Sequence, residues 1–171
     1  MAGKPGVSVT GDLDPMKELR KKLEQLAGLS ATVGYHEAKL VPGSDSLTVP
    51  TLAAIQTYGN EHTTKRPFMQ RAADAFDQTL QGRAAELIGE VVNDDKAPPL
   101  AVQILASELA DAVLTELQTA ASWAEPNSAS TIREKGSAIP LYADHGTLRN
   151  ELGYAVLRND SVIAEGKPGG Q

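Results

Sequence analysis

The sequence has no cysteine. That removes disulfides, thiol nucleophiles and thiolate metal sites together, and it fits a cytoplasmic origin. Aromatic residues make up only 4 % of the 171 residues: two Phe, one Trp and four Tyr. The core must then be mostly Leu, Ile, Val and Ala, which pack well in helices but bury less area per residue than aromatic rings. Long apolar runs are missing too. None approaches the roughly 20 residues a membrane span needs, and Met1 to Asp14 has no apolar stretch of signal-peptide length. A soluble protein with no membrane partner is expected.

Positive charge is also scarce, with 16 Lys and Arg against 22 Asp and Glu, for a net charge of −6. A sequence-independent nucleic-acid binder needs a basic stripe to neutralise phosphates, so this balance argues against one. It is compatible with the wall of a channel through which DNA passes without sticking. What remains is ordinary globular material, 41 % apolar and 22 % charged, in a length that suits one domain.

Residues 1–13 hold Gly3, Pro5, Gly6 and Gly11 and read as a flexible arm. Asp14-Pro15 then predicts a helix start, a capping side chain followed by Pro at the first helical position. Met16, Leu19, Leu23 and Leu26 mark one face of that helix, Lys17, Arg20, Lys21 and Lys22 make its outer face basic, and Gly28 ends it. Ala31 to His36 predicts a brief strand, and residues 37–48 a surface loop. Val49 to Tyr58 predicts a short helix, with Pro50 in its first turn and Gly59 past its end.

Arg66-Pro67-Phe68-Met69 opens a long helix that keeps its period to Asn93, with Gly82 and Gly89 inside it. Such glycines mark either close packing of another backbone or a helix weak on its own. A turn over residues 93–99 leads to a second long helix from Pro99 to Ser122, with an apolar face of Val102, Leu105, Leu109, Ala112, Val113, Leu117 and Ala120. The short turn makes the two helices an antiparallel pair.

The final third is mixed: a short helix after Ser128 or Ser130, a helical turn over Gly146 to Leu152, then two strands, Gly153 to Arg158 and Ser161 to Ala164. Asn159-Asp160 between the strands is a two-residue hairpin connection. The expectation is a helix-rich α+β fold, a single domain over residues 14–165, in which two long antiparallel helices pack with a small sheet including a C-terminal hairpin. Residues 166–171 read as a disordered tail.

Catalytic signals are few. His36, His62 and His145 are far apart, with no His-x-x-x-His pair. Glu61 and His62 are contiguous, so their side chains are expected to diverge. Neither a Gly-x-Ser-x-Gly elbow nor a phosphate-binding loop ahead of a helix occurs. Asp94-Asp95 and the Glu86/Glu90 pair suit a solvated surface. No catalytic residue, metal or cofactor is expected. Arg66 could reach a carboxylate, with Glu61 near in sequence, and Phe68 is the natural anchor for its helix. Pro67 fixes the chain's entry into the helix. Asp144 and Gly146 suit a tight turn.

Three segments carry a resemblance. Val33-Gly34-Tyr35 leads through a loop to an Ala-rich helix ending in Gly59-Asn60-Glu61-His62. Arg66-Pro67-Phe68 follows. Later come Thr131-Ile132 with Lys135, then Pro140-Leu141, Asp144, Gly146 and Leu148-Arg149. In this order they resemble the tail-completion or virion-morphogenesis proteins of tailed bacteriophages, a group that includes neck proteins related to protein Z of phage lambda. The resemblance spans residues 31–158. The chain departs from the family pattern at His62, where an aromatic is usual, at His145, where Thr is usual, and at Glu151, where a small polar residue is usual.

The resemblance implies a structural virion protein of the neck: a homo-oligomeric ring, hexameric in the family, that joins the tail tube to the head connector. Its neighbours would be a tail terminator or tail-tube protein on one side and connector or adaptor proteins on the other, with DNA only as passing cargo. Segments 1–13, 37–48 and 166–171 would order on contact with them. The rival readings are a tail terminator capping the tail tube, a small metal-dependent hydrolase using Glu61, His62 and His145, and a DNA-binding head-completion factor.

Overall fold

A computed structural model describes residues 14–94, 96–141 and 146–169. The segment 1–13, Asp95, Tyr142, Ala143, Asp144, His145, Gly170 and Gln171 lie outside the described residues, and with them the expected N-terminal arm. The elements run α1 (Asp14–Ala27), β1 (Leu29–Gly34), α2 (Val49–Tyr58), α3 (Phe68–Asn93), α4 (Pro98–Gln118), α5 (Ala129–Lys135), α6 (Thr147–Glu151), β2 (Gly153–Arg158) and β3 (Ser161–Gly166), with one 3-10 turn at Ala120–Ser122. The fold is α+β, with a three-stranded antiparallel sheet that includes the C-terminal hairpin.

The two long helices are antiparallel, as the ion pairs between them show. Arg71 meets Glu116 and Arg83 meets Glu108, so numbers rise along α3 as they fall along α4. Arg71 also lies 4.5 Å above the Trp123 ring, a cation–π contact. Helix α4 is central. At its start Ala101 packs with Leu87 and Val91 of α3 and Leu26 of α1. Ala106 and Ala110 pack against Tyr154 and Val33 of the sheet, and Gln103 donates to the Tyr154 hydroxyl. Its buried line is Ala101, Ala106, Ala110, Val113 and Leu117; of the expected face Val113, Leu117 and Ala120 are buried, while Val102, Leu105, Leu109 and Ala112 are only half-buried. Small residues face inward because α4 has neighbours on two sides, and alanine lets both approach closely.

The sheet order is β1-β2-β3. Strand β1 begins two residues earlier than expected, with Leu29 opposite Arg158 and Gly34 opposite Gly153. The pairing with β2 sets that boundary, and local propensity does not show it. Asn159 and Asp160 have φ of 48° and 65°, the left-handed pair that a two-residue hairpin turn requires.

Two segments expected to be loose are held. In 37–48, Val41 and Val49 donate backbone hydrogen bonds to Leu47 and Lys39, and Lys39 pairs with Glu151. At the C-terminal end Gly166 belongs to β3, Lys167 donates to the Asn150 carbonyl, and Gly169 donates to Asp111. The apolar stripe of α1 is not buried as a face: Leu26 packs inward, while Met16 is 65 % and Leu23 45 % exposed. A Cβ at Gly82 or Gly89 would meet nothing within 4 Å among the described residues, so no described backbone outside α3 packs against them.

Candidate functional site

The main core gathers the separated motif segments. Phe68 and Ala72 from the start of α3, Ala53 from α2, Val113 and Leu117 from α4, and Leu148 and Leu152 pack together, with Val33, Tyr35, Leu52 and Leu141 around them. Phe68 is fully buried at the point where α3 begins. The preceding Pro67 has φ −80°, within its ring's range, and sets the angle at which the chain enters the helix.

Arg66 is 7 % exposed. Its backbone N–H donates to the Gln56 carbonyl at 2.7 Å. Its guanidinium donates from Nε and Nη2 to the carbonyl oxygen of Glu125, from Nη2 to Asn127 Oδ1, and from Nη1 to Gln56 Oε1, at 3.0–3.2 Å. These acceptors are neutral. The expected partner Glu61 is instead exposed and lies 3.4 Å from His62, so that contiguous pair does not diverge. Burial lowers the Arg66 pKa, and the field of Glu125 offsets this only in part.

Asn127 passes the connection on, donating to the carbonyls of Ser137 and Ile139. Arg66 therefore joins the end of α2, the entry to α3 and the loops flanking α5. Beside it is a recess of about 250 Å³, lined by Arg66, Thr63, Ser128, Thr131, Leu141 and Leu148 among others. Leu141 holds φ 60°, a left-handed conformation that is costly for a bulky residue.

Of the remaining motif residues, Gly59 has φ 75°, and a Cβ there would come within 3.0 Å of Lys65 N and Thr63 O. Only glycine fits the turn between α2 and the 60–65 loop. Asn60 caps that loop by accepting from the His62 N–H. Thr131 and Ile132 sit on α5, whose last residue is Lys135, and Pro140 is buried. Gly146, φ 63°, precedes α6, in which Leu148 is buried and Arg149 exposed. Asp144 lies outside the described residues. Structure thus brings Arg66, Thr131, Leu141 and Leu148 to one recess. It does not bring Glu61 or Arg149 there.

Sequence reasoning missed Gln56, Asn127 and the Glu125 carbonyl. Ser128 was visible as a helix start, and it does cap α5, accepting from the Thr131 N–H. No local signal marks Gln56 or Asn127, which meet Arg66 from 10 and 61 residues away. Among the described residues no three His, Asp or Glu side chains are grouped to hold a metal. His36 is occupied with Thr32, and His145 lies outside the described residues. No described helix is long and apolar enough to cross a membrane. No family model, curated protein or solved structure matches this chain.

Proposed function

We propose that this chain is a tail-completion subunit of the neck of a long-tailed bacteriophage, acting in a ring between the tail tube and the head connector. The supporting observation is the convergence of its motif segments. Each of the three segments sends residues to one place: Val33, Tyr35, Phe68, Leu141 and Leu148 share one core, and Arg66, Thr131, Leu141 and Leu148 line one recess. Its mechanism is binding rather than catalysis, and DNA is its cargo rather than its ligand.

The exposed apolar side chains suit such a role. Val162 and Ile163 lie exposed on β3, an edge strand whose free side has no partner strand among the described residues, and Met16 and Leu23 lie exposed on α1. Edges and patches of this kind are usually covered in an assembly.

The test is the mass of the purified protein in solution, alone and with purified tail-tube protein. The expected result is a ring whose mass is a multiple of 18.0 kDa, or a monomer that assembles only on tubes. A monomer that ignores both tubes and connectors overturns the reading.

A further inference from the structure

The Arg66 guanidinium is a buried positive charge whose hydrogen-bond acceptors are all neutral. A guanidinium has five N–H donors. One on Nε, one on Nη1 and two on Nη2 are used, which leaves one Nη1 hydrogen without an acceptor among the described residues. Arg66 lines the recess of about 250 Å³. A water takes about 30 Å³, so the space admits an anion together with the carbons that carry it. Thr63, Ser128 and Thr131 add hydroxyl groups to the wall; those of Ser128 and Thr131 are hydrogen-bonded to each other at 2.9 Å, so at most one of that pair has its hydrogen free for a ligand.

We propose that this recess is a carboxylate-binding site, with the free Nη1 hydrogen of Arg66 as its charged anchor and the wall hydroxyls as neutral donors. The ligand carries a single negative charge. One cation with no hydrogen-bonded anion and one free donor matches a carboxylate, whereas a phosphate brings more charge and needs more donors. The Glu125 residue in the recess wall adds a negative field that opposes multivalent anions further. The proposal rests on the recess alone and stands or falls separately from the ring.

The experiment is a titration of the isotopically labelled full chain, following backbone amide and arginine Nε–H resonances. The probes are sodium acetate, neutral acetamide of the same shape, sodium chloride as ionic-strength control and sodium phosphate. Two peptides separate the sources of a carboxylate: acetyl-Gly-Gly offers a chain end, and acetyl-Gly-Asp-Gly-amide offers a side chain. The expected result is saturable shifts confined to Arg66 and the residues around the recess, with acetate and at least one peptide, and a dissociation constant on the order of millimolar. Whichever peptide binds tighter names the source.

Thr131→Val should weaken acetate roughly two- to tenfold by removing a hydroxyl. Glu125→Gln, at an exposed side chain, should tighten it by removing the opposing charge. Shifts that acetamide or chloride reproduce overturn the proposal, as does tighter binding of phosphate or indifference to both variants. A response seen only in Asp144→Asn also overturns it, because the chain would then supply its own carboxylate.

Discussion

Arg66 donates two hydrogen bonds, from Nε at 3.2 Å and from Nη2 at 3.1 Å, to one atom, the backbone carbonyl oxygen of Glu125. A side chain at the mouth of one helix thus holds a loop 59 residues away. Arg66→Met is the informative variant, because it keeps much of the volume and removes every donor. It leaves the Glu125 carbonyl and the Gln56 and Asn127 side chains without their donor. The expected loss is about 2–4 kcal/mol in chemical denaturation. Arg66→Lys should fall between, since a point charge cannot reproduce the fork.

Phe68 is the second half of the same junction. It is fully buried in a core whose other buried side chains are aliphatic, so its removal leaves a ring-sized cavity among them. Phe68→Ala should cost about 3–5 kcal/mol, a large part of the roughly 5–15 kcal/mol that stabilises a domain. Phe76→Ala, at the half-buried other Phe, should cost clearly less. Denaturant midpoints of the two variants provide the comparison.

These two residues mark what was legible in the sequence. Helices α2 and α3 and the hairpin were readable because their signals are local: Pro50 and Gly59 bracket α2, Arg66-Pro67 precedes α3, and Asn159-Asp160 fits one turn type. The ends of β1 were not, because pairing with β2 sets them. Nor was the first half of the inward face of α4, where a helix packed on two sides buries Ala106 and Ala110 and leaves Leu105 and Leu109 half-exposed, although Val113 and Leu117 further on are buried as their spacing predicts. The site was legible on one side only. Arg66 stands out in the sequence, but its partners are the side-chain amide of Gln56 on α2 and, from a loop 59 and 61 residues on, the Glu125 carbonyl and the Asn127 amide, and carbonyls leave no mark on a sequence.

Lys39 and Glu151 are 2.8 Å apart across the 37–48 loop. The hydrogen bond from Lys39 holds the Glu151 carboxyl below its ordinary value. A carboxyl depressed in the folded state binds fewer protons folded than unfolded as pH falls. Its contribution is fully present above the ordinary carboxylate pKa of about 4.3 and is lost as pH drops through the lower folded value. Glu90, held down by Lys96, acts in the same direction. Melting temperature should therefore fall below about pH 4.3, and more shallowly in Lys39→Met. The pair is partly exposed, so added salt should shrink the difference between the two profiles.

Gly82 and Gly89 offer a test that separates the fold from the assembly. Both lie inside α3, and a Cβ at either would meet nothing within 4 Å. In the isolated chain Gly82→Ala and Gly89→Ala should each stabilise by about 0.5–1 kcal/mol, through helix propensity alone. Nothing among the described residues then calls for glycine at either position. If a neighbouring subunit packs its backbone against this side of α3, the same variants should raise the denaturation midpoint while lowering ring yield in size-exclusion chromatography. Variants that are more stable and assemble as well as the original chain would place the subunit interface elsewhere, leaving the exposed strand β3 as the next surface to alter.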